Sequence, residues 1–322
     1  MKSARHLASK FYPSGTFRAA QAGLMKFPPR RFMSRPPGLH WSKHKIYGSI
    51  GDLEVRLAKT RSDIRRAQRL RYEVFYNEMS AIPDAITTMT RRDEDSYDPI
   101  CDHLLVVDKS ADGFKKRPWP VKPRVVGTYR VLRQDVSELY DGFYTQSEYD
   151  ISKLIEKKPT HKFIELGRSC VLKPYRNRRT VELLWQGIWT YVREHSGNVM
   201  IGCASFPGTD PKQHEMALSY LHHYASPPKE WYVRAHNHLH IDMNMVPQAD
   251  INTKVAMRSL PPLIKGYLRL GAYIGDGAVI DHQFGTTDVL IIIPIEVLDP
   301  RYLSHFGSPD DITSSRTNRA RS

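Results

Sequence analysis

Apolar residues in the 322-residue chain fall into short alternating runs that give way to stretches of helical spacing, the pattern of an α/β fold. Leu53, Val55 and Leu57 alternate with polar neighbours and predict a strand over 53–58. A helix is predicted over 62–79, with Ile64, Ala67, Val74 and Phe75 on one face. Further strands are predicted over 101–107, 125–132, 162–172, 200–204 and 288–293. Shorter helical stretches fall near 152–156 and 213–223. A long helix is expected from Thr180, a residue suited to an N-cap, with Val181, Leu184, Trp185, Ile188 and Val192 on one face.

Composition narrows the class. The longest apolar stretch, 289–293, stops at Pro294, far short of the roughly 18 residues a membrane span needs. Cys101, Cys170 and Cys203 are too few and too scattered for a disulfide framework or a zinc set, which points to a reducing, cytoplasmic compartment. The net charge of +14 is uneven: residues 1–51 hold ten Lys or Arg and no acid, leaving 38 basic and 34 acidic residues in the remainder. Prolines interrupt that basic stretch, so it reads as an N-terminal arm over 1–51, ahead of one body over 52–305 and a Ser-, Thr- and Arg-rich flexible tail over 306–322. The arm fits a plain disordered tail, an electrostatic tether to anionic lipid, or an organellar transit peptide.

Within the body the charges are placed tellingly. Arg71 lies in the middle of the apolar face of the 62–79 helix, where it either snorkels past the rim or meets carboxylates. Acids follow at once: Asp93, Glu94, Asp95 and Asp98 lie in a turn-rich stretch. Arg130 lies on the 125–132 strand, and Glu165 and Arg168 on the 162–172 strand. Strict alternation would put Glu165 and Arg168 on opposite faces, but a bulge at Gly167 would turn both toward one site. Next come Arg176, Arg178, Arg179 and Thr180 at the start of the long helix. Free backbone N–H groups, the helix dipole and three guanidinium groups make that end an anion site.

These residues carry a resemblance. Leu70 to Phe75, Asp93 to Asp98, Gly127 to Leu132 and Phe163 to Arg168 occur in the order and spacing of the acyl-carrier-protein-dependent branch of the GNAT acyltransferases, which includes the acyl-homoserine-lactone synthases. The acid–arginine cluster of those synthases maps onto Arg71, Asp93, Asp95, Asp98, Arg130, Glu165 and Arg168. The segments 165–171, 183–188 and 260–267 are more similar to the ornithine N-acyltransferases that make lyso-ornithine lipid in bacteria. Over about 52–300 the resemblance implies a GNAT fold, a mixed twisted sheet flanked by helices. It implies a 3-hydroxyacyl group carried on acyl carrier protein as donor and L-ornithine as acceptor. It implies no metal and no resident cofactor, since phosphopantetheine arrives on the donor. The tryptophan that homoserine-lactone synthases carry after the first helix is missing, and the 176–180 loop lacks the glycines of CoA-dependent relatives.

The residues support acyl transfer on their own terms. An amine attacks a thioester only when deprotonated, and Glu165, between apolar neighbours on a central strand, is the best-placed base. No Ser or Cys has an evident His partner, so direct transfer is expected. With ornithine as the acceptor, as the resemblance implies, Asp276, Asp281 and Asp288 are candidates to hold its side-chain ammonium. The product that the resemblance implies is a single-chain amphiphile, so the enzyme is expected to be peripheral on the inner membrane, touching anionic lipid through its arm and the 260–270 segment. Two further patterns read as decoys. His103 and Asp108 fit the H-x4-D spacing of glycerolipid acyltransferases but fall on opposite faces of a strand. His236, His238 and His240 would share a strand face as a metal site. The competing readings are a homoserine-lactone synthase, a CoA-dependent N-acetyltransferase and, outside enzymes, a basic nucleic-acid-binding protein; the last is disfavoured because the body lacks a basic recognition helix.

Overall fold

The computed structural model describes residues 45–79, 81–110 and 123–298. Strands β1 (Ile46–Ile50) and β2 (Leu53–Leu57) form an antiparallel hairpin at one edge of the sheet. β1 lies inside the stretch read as an arm, so the folded body starts earlier than residue 52. Its five residues include only three apolar ones beside a basic run, too weak a pattern to show as a strand. The rest of the arm, residues 111–122 and the tail lie outside the described residues.

Helix α1 (Arg61–Tyr72) starts at Thr60, whose side chain accepts from Asp63 N. The predicted helix continues past Tyr72 as a wider π-helical turn, Glu73–Glu78. Short helix α2 (Ala85–Thr90) precedes strands β3 (Asp102–Asp108) and β4 (Arg124–Arg133). Two short helices, α3 (Gln134–Ser137) and α4 (Ser152–Lys157), flank a 3-10 turn, Tyr144–Ser147, before β5 (Phe163–Val171). Helix α5 (Arg178–Glu194) leads to β6 (Val199–Pro207). Helices α6 (Glu215–Tyr224), α7 (Thr253–Ser259) and α8 (Pro262–Arg269) precede the hairpin β7 (Tyr273–Asp281) and β8 (Thr286–Pro294).

The eight strands make one sheet in the order β1-β2-β3-β4-β5-β6-β8-β7, antiparallel except for β5 and β6. This is the mixed sheet the resemblance implies. One face packs on α1 and α5 through Ala67, Leu70, Leu183, Ile188 and Val192. The other buries Phe143, Tyr149, Leu154 and Trp231. Val181, expected on the buried face of α5, is exposed, and Leu183 packs inward instead.

The parallel pair is short. β5 and β6 pair only at Phe163–Val199, Ile164–Met200 and Glu165–Ile201, and beyond this they diverge. Gly202 sits at the fork, where a Cβ would stand 2.2 Å from the Leu166 carbonyl oxygen, so no larger residue fits without moving backbone. On its other edge β5 is irregular against β4: Arg130 pairs with Gly167, while Thr128 pairs with Cys170. The bulge expected at Gly167 therefore exists, but Arg168 is the residue with positive φ, at 50°.

Candidate active site

Arg71 does not snorkel: it is fully buried. Its Nη1 and Nη2 grip Asp98 at 2.9 and 2.7 Å, and its Nε lies 2.8 Å from Asp93. Its Nη2 also donates to the Asp93 carbonyl. Gln68 donates to Asp98 at 2.9 Å from the same helix. Arg130 reaches Asp95 at 2.5 Å and Asp98 at 3.2 Å, and Arg168 lies 3.2 Å from Asp95 and 3.5 Å from Asp93. Three arginines thus meet three aspartates in a closed network. Buried charges survive only when paired in this way. Burial by itself would raise the Asp98 pKa, but the Arg71 charge and hydrogen bonds hold it well below the usual carboxylate range.

Beside this network a cavity of about 480 Å³ opens along the fork between β5 and β6. Glu165, Arg130 and Arg168 line it, whereas Arg71, Asp93, Asp95 and Asp98 do not. The sequence-predicted set therefore divides in two: the aspartates and Arg71 fix two arginines, and those arginines with Glu165 face the open space. Val74, Phe75, Met79 and Leu263 give the cavity an apolar part. The Arg168 guanidinium lies over two rings, 5.0 Å from the Tyr144 centroid and 4.5 Å from that of Phe284.

Glu165 accepts from Tyr144 N at 3.1 Å, Thr145 N at 2.7 Å and Thr145 Oγ1 at 2.6 Å. Burial pushes its pKa up, against these hydrogen bonds and the Arg130 charge. The 3-10 turn that supplies the donors carried no sequence signal, because it lies in a polar connection without periodicity. Cys101, Cys170 and Cys203 also line the cavity, and burial pushes all three thiols up. None is a ready thiolate.

The basic loop is built differently from the expectation. Asn177, not Thr180, caps α5: its side chain accepts from Thr180 N at 3.2 Å. An extended Asn one residue before the two arginines starts the helix earlier and leaves Thr180 buried in its first turn. Arg176 borders the cavity and pairs with Glu78 at 2.5 Å, and Arg178 pairs with Glu182 at 2.6 Å. Arg178 and Arg179 are exposed. Of the carboxylates considered for the ammonium, Asp281 and Asp288 line the cavity. Asp276 lies elsewhere, taken by Tyr232, Arg234 and His240. His236, His238 and His240 sit on a turn rather than on one face of a strand, so the imagined metal face is absent. His103 Nε2 lies 3.0 Å from the Asp98 carbonyl while Asp108 accepts from Tyr175, so the H-x4-D pair is no dyad.

The acetyltransferase (GNAT) domain model matches residues 70–186. The L-ornithine N(alpha)-acyltransferase of Brucella abortus (strain 2308) is 52% identical over 263 residues, covering 82% of this chain and 92% of that protein. The protein of the same name from Agrobacterium fabrum (strain C58 / ATCC 33970) is 49% identical over 262 residues, covering 81% of this chain and 87% of the other. Among solved structures, an N-acyl amino acid synthase from uncultured soil microbes is 9% identical, spans 76% of this chain and 91% of its own, and has a TM-score of 0.41.

Proposed function

The chain belongs to the L-ornithine N(alpha)-acyltransferase family of GNAT-type N-acyltransferases, and from that premise we propose that it moves a 3-hydroxyacyl group from acyl carrier protein to the α-amine of L-ornithine, giving lyso-ornithine lipid. The observation that carries this reading is the fork between β5 and β6, with Glu165 in its last paired position and the cavity running on from it. Strand edges that face each other without pairing offer backbone groups to an extended pantetheine arm, which the donor brings with it. The apolar side around Phe75, Met79 and Leu263 suits an acyl chain.

In this reading the α-amine attacks the thioester carbonyl. Glu165 takes the amine proton directly or through a water, and backbone N–H groups on the fork meet the oxyanion. The carbon–sulfur bond then breaks, and the carrier leaves as its thiol by taking up the proton that Glu165 removed from the amine. The raised thiol pKa values of the lining cysteines favour this direct transfer over an acyl-enzyme. Exposed Arg178 and Arg179 at the start of α5 suit an acidic carrier. Among the described residues no helix is long and apolar enough to cross a membrane. A peripheral enzyme delivering an amphiphile to anionic lipid fits that fact, with the basic arm as the tether. In α8 Ile264 and Tyr267 are buried, which leaves Leu263 as the apolar side chain that segment exposes.

The test is to incubate the protein with 3-hydroxyacyl carrier protein and a mixture of amino acids and to identify the lipid by mass. Acylated ornithine is expected. A homoserine lactone or an acetylated product would overturn the reading.

A further inference from the structure

A second group of carboxylates lies beside the same cavity, which Asp281 and Asp288 line and Glu148 does not, and it is built unlike the first. Asp288 stands on β8 opposite Ser205 of β6. Asp281 ends β7, and Glu148 follows the Tyr144–Ser147 turn. One carboxylate oxygen from each lies within 4.8 Å of the others. The arginine network balances three cations against three anions, whereas among the described residues no Lys, Arg or His lies within ion-pair distance of these three acids, and Arg168 reaches Glu148 and Asp288 only from farther off. Crowded acids hold on to protons. Burial and the Asp288 charge push Glu148 up to about 8, and burial and the Asp281 charge push Asp288 up to about 6 against nearby hydroxyls.

The site is also short of donors. Thr286 Oγ1 and Asp288 Oδ1 are buried with no partner in good hydrogen-bonding geometry, although the Thr286 and Ser205 hydroxyls stand close enough to favour the charged Asp288, and Thr286 and Asp288 both line the cavity. Buried polar atoms without a well-formed hydrogen bond are uncommon, and at an open cavity they leave room for a further donor. From these observations we propose that Asp281, Asp288 and Glu148 form the subsite for the side-chain ammonium of a diamino acid, with Thr286 beside it. A primary ammonium carries three N–H donors and one positive charge, which suits a small ring of acceptors lacking a cation. A divalent ion would ask for six or more oxygens. Here a thiol closes one side, since Cys203 Sγ donates to Glu148 at 3.1 Å. Asp281, Asp288 and Glu165 share one cavity, so a single ligand can engage the acids with one amine and present the other near the fork.

This subsite rests on the reaction proposed above, and its test separates the two. Binding of ornithine and of norvaline, the same amino acid without the side-chain amine, is measured by calorimetry on the full chain without any acyl donor. The wild type should bind ornithine at least about tenfold more tightly, and Asp288→Asn should lose most of that difference, as expected for one charge-assisted contact. Asp281→Asn, nearer the rim, should act in the same direction and guards against misfolding of the first variant. Equal binding of the two ligands, or a difference that survives both substitutions, would overturn the subsite. So would a site that takes Mg²⁺ or Ca²⁺ alone, loses it in Asp288→Asn and ignores ornithine. If the ligand difference holds but no thioester donor acylates ornithine, the reaction fails and the subsite stands. If ornithine is acylated and the variants keep their preference, the subsite fails and the reaction stands.

Discussion

Replacing Arg71 with Met keeps most of the side-chain volume and removes the charge at the centre of the arginine–aspartate network. Asp98 then retains Arg130 at 3.2 Å and Gln68 at 2.9 Å, while Asp93 keeps only the longer Arg168 contact at 3.5 Å among its ion pairs. Breaking a buried pair by removing one partner costs about 3–5 kcal/mol, and the poor replacement at Asp93 places Arg71→Met in the upper part of that range. Asp98→Asn should fall in the lower part, because Arg71 still reaches Asp93 at 2.8 Å. The double variant should cost less than the sum of the singles by roughly 1–3 kcal/mol, since neither orphan is left facing the other. Urea unfolding of the four proteins at pH 7 measures the cycle. The sign with pH is fixed: the folded-state pKa of Asp98 lies below its unfolded value, so its contribution is full above that unfolded value and is lost as pH falls through the folded one. An Arg71→Met penalty below about 1 kcal/mol at pH 7, or one that grows on acidification, would refute this account of the network.

Glu165→Gln should leave unfolding transitions in place and lower kcat by about 10²–10⁴-fold, read in steady-state kinetics at neutral pH. Glu148 has a folded pKa of about 8, above its unfolded value, so the stability it adds is full below about pH 4.5 and disappears as pH rises toward 8. Glu148→Gln should therefore melt higher than the wild type at pH 8.5 and show little gain at pH 5, as measured by differential scanning calorimetry. Gly202→Ala puts a methyl group into the Leu166 carbonyl, which should cost about 1–3 kcal/mol and reduce turnover by moving the fork; unfolding and kinetics of the one variant check both. Replacing Arg178 and Arg179 with Glu should raise KM for the acyl carrier while leaving that for ornithine unchanged, and a parallel change in both would remove the loop from the donor site.

The fold was readable where burial imposes a period. β3, β4, β5 and β8 and the body of α5 all follow from apolar spacing, and Arg71 on an apolar face foretold buried acids. Legibility ended where structure depends on contacts distant in sequence. β1 is stabilised by pairing with β2 rather than by its own pattern. Asn177 outcompetes Thr180 as a cap because the backbone before α5 is extended there. The three-histidine stretch had the spacing of a strand face, but the chain turns at that point, with His236 held by the Gln146 carbonyl at 2.8 Å. Glu148 was invisible: a lone acid in a polar loop acquires meaning only when β7 and β8 bring Asp281 and Asp288 to it.

The two charged groups explain why the fork can be both rigid and selective. A closed network needs nothing from outside, so the three aspartates and Arg71 can fix Arg130 and Arg168 before any ligand arrives, and preorganised cations lose little on binding. An open group of acids behaves in the opposite way. In the subsite proposed above, its held protons and its poorly satisfied Asp288 and Thr286 oxygens leave it open to an incoming cation. In the reaction and subsite proposed above, the fixed cations and Glu165 define where chemistry takes place, and the acids beside the same cavity define which amine is drawn to it. Neutralising the acids should therefore blur the choice of substrate, whereas breaking the network should loosen the protein itself.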